Sequence, residues 1–177
     1  MRTTLIPVIA GLTATTLALA ASVHLKPPNR NPTFADNVLI LNAAGAIAGL
    51  GNGDVVVGLT AQADVKSTCT NQGGNVAPGQ NPAPLTVTGA QIIPEDELKN
   101  GTTPFNVSTQ APVTPIAGAP GCPNPTWTES IDDLAFTSGV ITVEQPAGVL
   151  VLTVSCKFSP PTGNGAVPAT SVSCTVS

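Results

Sequence analysis

From Val55 to Lys66 the sequence alternates without a break. Val55, Val57, Leu59, Ala61, Ala63 and Val65 fall on one side of an extended chain, and Val56, Gly58, Thr60, Gln62, Asp64 and Lys66 on the other. A period of two held over that length specifies a strand with one buried face. Just before it stands Asn52-Gly53, a pair that tolerates the positive φ angles of a type I′ turn. Residues 37–69 therefore read as one long β-hairpin. Pairing Gly51 with Asp54 sets Leu50 opposite Val55, Ala48 opposite Val57, Ala46 opposite Leu59, Ala44 opposite Ala61 and Ile40 opposite Val65. That face is apolar throughout; Asn42, opposite Ala63, is the one polar intruder.

The rest of the chain extends the same reading. Its 177 residues suit one domain. Charged residues make up only 9%, but 42% hydrophobic content and regular alternation argue for a packed core over disorder. With Lys, Arg and Glu scarce and with 18 Pro and 17 Gly, the composition is that of strands and turns. Strands are expected at 23–28, 85–93, 104–109, 127–133, around Phe136, and at 140–143, 148–158 and 171–176. Residues 70–84 and 110–125 are turn-dense loops with no regular structure, the second holding five prolines and Cys122. Pro94 to Lys99, with acids early and a Lys late, is a one- or two-turn helical connector. The expected fold is all-β: an antiparallel β-sandwich of eight or nine strands, Ig-like or fibronectin-III-like by architecture. The absence of Tyr excludes a tyrosine corner and, with it, support for a true antibody-type domain.

Residues 1–21 have the form of a secretory signal: Arg2, an apolar run from Leu5, and Ala18-Leu19-Ala20 as a small-residue exit. Residues 22–177 are then the single mature domain, and no later stretch is long and apolar enough to span a bilayer. Without Arg2, five Lys and Arg stand against ten Asp and Glu, a net charge of −5. No basic run exists to neutralise phosphates, so neither nucleic acid nor an anionic membrane is an expected partner.

Four cysteines in an exported chain imply two disulfides, with three connectivities open. The favoured pairing is Cys69–Cys122 and Cys156–Cys174. Cys156 shares a strand face with Leu152, Val154 and Phe158, and Cys174 alternates with Val172 and Val176, so a return strand brings the two together. Two sequons, Asn100-Gly-Thr102 and Asn106-Val-Ser108, are candidate glycan sites.

Catalytic chemistry finds little to work with. His24 is the sole histidine, so a copper site lacks its second histidine and a Ser-His-Asp triad would have to use His24, with no Gly-x-Ser-x-Gly turn to present the serine; no Cys-x-x-Cys pair suggests zinc. Glu129 with Asp132 or Asp133, and the cluster Glu95-Asp96-Glu97, are the carboxylate pairs a glycosidase could use. Adjacent Asp132 and Asp133 point to opposite faces unless a bulge intervenes, and the acids at 95–97 complement a helix start. No metal or cofactor is expected; calcium on Asp54, Asp132 or Asp133 with loop carbonyls is the one alternative. The glycine-rich Gly49-Leu-Gly-Asn-Gly53 has no following helix to hold a phosphate.

One set of residues carries a resemblance. It comprises Val23-His24, Pro32-Thr-Phe34 with Asp36-Asn37, and Gly49-Leu-Gly-Asn-Gly-Asp54. It continues with Cys69-x-Asn71-x-Gly73-Gly-Asn75-x-Ala77-Pro-Gly-Gln80, Gly121-Cys-Pro-Asn124 and Trp127. This pattern resembles a family of small secreted proteins of bacteria and filamentous fungi that has no assigned activity. The resemblance extends to about Val143. It implies secretion, a β-rich fold and pairing of Cys69 with Cys122, and it transfers no catalytic residue. The function expected is a non-enzymatic extracellular interaction or structural protein. Its contact surface would be the rigid edge formed by the Cys69–Pro84 and Gln110–Pro125 loops, with Asn71, Gly73, Gly74, Asn75 and Gln80 in the first, and its partner an extracellular protein. The alternative is a module binding cell-wall polysaccharide through Trp127; an exposed Trp127 beside Phe105 or Phe136 would favour it.

Overall fold

The computed structural model describes residues 23–26, 31–80, 82–99 and 101–177. The expected signal sequence and Asn100 lie outside them. In chain order the strands are β1 (His24–Leu25), β2 (Thr33–Asp36), β3 (Leu41–Ala48), β4 (Val55–Thr70), β5 (Val76–Pro78) and β6 (Leu85–Ile93). They continue as β7 (Thr103–Ser108), β8 (Thr128–Glu144), β9 (Leu150–Phe158), β10 (Gly165–Ala166) and β11 (Val172–Val176). All pairings are antiparallel and form two sheets. One runs β1-β3-β2-β10, with β7 on the other side of β3; the second runs β11-β9-β8-β4-β5, with β6 also on β4. The inner faces of the two sheets share one apolar core, in which Phe34 of the first meets Phe158 of the second edge-to-face at 5.0 Å.

β4 is the axis of the second sheet. It pairs with β8 from Val56 to Thr70 and, on its other side, with β6 over Val55–Ala63 and with β5 over Thr68–Thr70. The alternation read from the sequence holds: Val55, Val57, Leu59, Ala61 and Ala63 are buried, and Ser67 and Cys69 continue the same face. Each large apolar side chain buried there contributes about 1.5–3 kcal/mol.

The long hairpin over residues 37–69 does not form. β3 and β4 lie in different sheets and share no ladder, so 49–54 is a crossover and not a hairpin turn. The positive φ angles fall at Gly49 and Gly53, not at Asn52, so no type I′ turn exists. The side chain of Gln145, buried between β8 and β9, staples the crossover. Its Oε1 accepts from Gly51 N–H at 2.7 Å, and its Nε2 donates to the Gly51 and Gly53 carbonyls at 2.8 and 3.0 Å. The inward residues of β3 are Leu41, Ala43 and Ile47, the opposite parity to that expected. The first arm carries small or apolar residues on both parities, Asn42 excepted, so its pattern does little to resist a one-residue slip. Asn42 is no intruder, because it faces outward and hydrogen-bonds Ser108 Oγ at 3.0 Å.

The hairpin that does form joins β2 to β3 through residues 37–40, with Asp36 opposite Leu41. Its turn residue is Val38, at φ 67°, a region a β-branched side chain rarely enters. Asp36 Oδ1 accepts the Val38 N–H at 3.0 Å, supplying from a side chain what a turn residue normally supplies.

Three smaller expectations also change. Residues 70–84 are not wholly irregular, since β5 pairs with the end of β4. The connector after Pro94 is a single 3-10 turn at Glu95–Glu97, whose first N–H is accepted by Asp54 Oδ1 at 3.0 Å. The segments expected at 127–133, 136 and 140–143 form one continuous strand, β8. Both disulfides form as expected: Cys69–Cys122 ties β4 to the second proline-rich loop, and Cys156–Cys174 joins directly opposed residues of β9 and β11.

Candidate functional site

β9 covers β8 only from Ser138 onward, which leaves the edge of the first half of β8 to be satisfied by other means. Irregular segments do this. Ile116 N–H donates to the Glu129 carbonyl at 2.8 Å, and Ile131 N–H donates to Thr114 Oγ1 at 3.0 Å. Leu134 N–H donates to the Val38 carbonyl at 2.9 Å. Phe136 exchanges main-chain and hydroxyl bonds with Thr162, each at 2.9 Å. Each of the two seams so formed is built round a buried carboxylate.

The first seam joins the two loops singled out from the sequence. Glu129 shares a strand face with Ile131 and is wholly buried. Its carboxylate accepts Ser67 Oγ–H at 2.8 Å from β4 and Gly121 N–H at 2.8 Å from the second loop. The Gln80 N–H donates to the Gly121 carbonyl at 2.6 Å, and the Gly79 N–H to the Ser67 carbonyl at 2.8 Å. The Cys69–Cys122 bridge closes the same cluster. Gly121 is required by close approach, since a Cβ there would collide with the Glu129 carboxylate. Burying a carboxylate costs several kcal/mol unless hydrogen bonds replace its water, and these two donors do so. Glu129 is thus bound into a structural clamp, which takes it out of the glycosidase pair considered from the sequence.

The clamp leaves a rim exposed. Asn71 Oδ1 accepts the Asn75 N–H at 2.9 Å, and backbone bonds between Asn71, Gly74 and Asn75 close the turn from β4 into β5. Gly73, Gly74, Asn75 and Gln80 are exposed, and Asn71 is half-buried. Val76 on β5 and Val113 in the second loop are 67% and 87% exposed, high for valine. Trp127, at the entry to β8, is half-buried. Phe105 and Phe136 are core residues, as are Phe34 and Phe158, so Trp127 has no aromatic neighbour at the surface with which to form a sugar-stacking platform.

The second seam is centred on Asp36, which is 2% exposed. Its carboxylate accepts from Val38 N–H and from Thr162 Oγ1–H. Burial pushes its pKa above the ordinary carboxylate value; the bonds from Thr162 and Val38 pull it back, and the charge of nearby Asp133 adds to the rise. Asp132 is the extra residue of a bulge: Lys66 faces Asp133 and Ser67 faces Ile131. Asp132 therefore does not simply alternate with Asp133, and it accepts from Thr68 Oγ1.

Among the described residues, no group of three or more His, Cys, Asp or Glu could hold a metal ion. Clefts of about 330 and 360 Å³ flank the 95–103 segment. The first is lined by Leu50, Glu95 and Lys99; the second holds Asp96 and Glu97, exposed neighbours on one 3-10 turn, with no histidine, cysteine or serine in its lining. Asn106, the sequon within the described residues, is exposed on β7, its side chain accepting from Asn42.

The sequence reading missed Asp36, Thr162 and Gln145 as organising residues. For Asp36 a signal existed, because it alternates with Phe34 on the face that becomes buried. Glu129 carried the same signal beside Ile131. Gln145 carried none. Comparison with family models, with curated proteins and with solved structures finds no match. Among the described residues no helix is long and apolar enough to cross a membrane, and the two disulfides fit an oxidising compartment.

Proposed function

We propose that the chain is a secreted, non-enzymatic interaction protein whose contact surface is the rim formed by the Cys69–Pro84 and Gln110–Pro125 loops. The observation that carries this reading is the clamp beneath the rim. A buried carboxylate, a disulfide and loop-to-loop backbone bonds hold two largely irregular segments against β4 and β8. A pre-ordered loop surface loses little conformational freedom when it binds, which is how rigid scaffolds present recognition loops. Val76 and Val113 give that rim apolar contact area, and Asn71, Asn75 and Gln80 give it hydrogen-bonding capacity. The resemblance to a secreted family, strongest in the Cys69 loop, supports export and the same surface.

The test applies labelled, oxidised protein to the immobilised extracellular protein fraction of its source, alongside a Val76→Asp/Val113→Asp variant. Saturable binding that the variant loses supports the rim. Equal binding by both proteins moves the contact elsewhere, and absence of binding leaves a structural role. The second reading, polysaccharide binding at Trp127, draws on the partial exposure of Trp127 beside this rim. Sedimentation with insoluble chitin, cellulose and β-glucan tests it, with Trp127→Ala as control.

A further inference from the structure

The sandwich ends differently at its two sides. At one, β6 and β7 are bridged: Gln110 N–H donates to the Thr88 carbonyl at 2.8 Å, and Asn106 N–H to Gln91 Oε1 at 2.8 Å. At the other, the second sheet ends on β11, which pairs with β9 on one side and, among the described residues, with no strand on the other. Ser177 and Thr153 exchange both backbone bonds at 2.9 Å, and Ser159 N–H donates to the Ser171 carbonyl at 2.9 Å. Antiparallel alternation then turns the main-chain groups of Ser173 and Thr175 toward β9 and those of Val172, Cys174 and Val176 outward. The 4.1 Å Cα separation of Cys156 and Cys174 agrees, being that of a non-hydrogen-bonded pair.

Natural edge strands are normally blunted by Lys, Pro, a bulge or a covering segment. β11 carries none of these, and no charged residue occurs after Lys157. Its core-side face is incompletely covered. Val176 is 54% exposed. The sequence from Ser171 to Ser177, Ser-Val-Ser-Cys-Thr-Val-Ser, also reads nearly the same in both directions.

We infer that β11 is a self-association edge, on which two copies of the chain pair antiparallel about a two-fold axis through Cys174. In that register Val172 faces Val176 of the second copy, Ser173 faces its Thr175 and Cys174 faces its Cys174, so like meets like at every position. Even-numbered residues oppose even-numbered ones, the set whose N–H and C=O groups point outward, so each opposed pair exchanges backbone bonds. Valines meet valines on the core side, hydroxyls meet hydroxyls on the outer side, and no charge opposes the approach. Such an isologous contact joins two sheets into one and closes without leaving a free edge to propagate. Its short ladder places it among weak, concentration-dependent dimers.

Sedimentation velocity of the purified oxidised chain from about 1 µM to about 1 mM, with hydrogen exchange at both ends of the range, tests the inference. The expected result is a reversible dimer, with the amides of Val172, Cys174 and Val176 gaining protection as it forms. Val176→Pro removes an outward N–H without touching the β9 ladder and is expected to weaken the dimer at least about tenfold. Thr175→Lys, which puts on the edge the charge that natural edge strands use as a block, is expected to weaken the dimer as well. A monomer throughout the range overturns the inference. So does a dimer in which those amides stay unprotected, a reading that holds even if Val176→Pro fails to fold.

Discussion

Glu129 and Asp36 are buried at two seams along the same strand, and each accepts one backbone N–H and one hydroxyl. Their surroundings diverge. The Glu129 seam is closed by a disulfide and by backbone bonds between two loops. The Asp36 seam has no covalent tie, holds a valine at positive φ and lies near a second carboxylate, Asp133. The same pair of donors thus supports one junction fixed by covalent reinforcement and another whose energy depends on its protonation state. The first suits a surface that must keep its shape; the second adds pH dependence to stability.

The comparison is best broken at the covalent tie. Replacing Cys69 and Cys122 by Ala is expected to cost about 4 kcal/mol, against about 3 kcal/mol for Cys156 and Cys174, because the first bridge spans 53 residues and the second 18. Urea unfolding under oxidising conditions measures both. A larger loss at Cys156–Cys174 would show that pinning the edge strand matters more than tying the loops. Next comes Glu129→Ala, which strands the Ser67 hydroxyl and the Gly121 N–H and opens a void. It is expected to cost about 3 kcal/mol, with Glu129→Gln losing roughly half as much. A loss below about 1 kcal/mol in the same unfolding assay would mean that the disulfide alone holds the loops.

Asp36 sharpens the contrast through pH. Its raised pKa means that the folded chain holds this proton more tightly than the unfolded chain does. Its contribution to stability is therefore fully present at low pH. That contribution is lost as pH rises from the ordinary carboxylate range through the raised value. Asp36→Asn is expected to flatten this decline, measured as the urea midpoint across about pH 3 to pH 8. An unchanged slope would assign the pH dependence to other groups. The smallest effect is expected from Asn71→Ala, which removes one exposed hydrogen bond to the Asn75 N–H and should cost about 0.5–1 kcal/mol. Hydrogen exchange at Asn75 reports it directly.

These contrasts also explain what the sequence could and could not disclose. β4, β6, β9 and β11 were legible because their alternation commits one face to the core, and the cysteine on β9 then found its partner by parity. The residue pattern of 37–50 was not decisive. Its alanines fit either register, and Asn52-Gly53 imitates a hairpin turn in a segment that changes sheets. The real turn puts a β-branched residue, Val38, at its positive φ, and its one signal was Asp36-Asn37, where Asp36 accepts the N–H two positions on. Glu129 stood in plain view on an apolar face, but its donors, Ser67 and Gly121, lie 62 and 8 residues away, and only the fold brings them together.

Because the crossover at 49–54 sends β3 and β4 into different sheets, the chain cannot be assembled one hairpin after another. β4 meets its longest partner only when β8, some sixty residues further on, has come into place, and β2 receives β10 from near the other end of the sequence. Loop closure must then precede most of the stabilising contact. Folding is expected on the millisecond-to-second scale of sheet proteins rich in distant pairings, in a single concerted step that gains little from local preference.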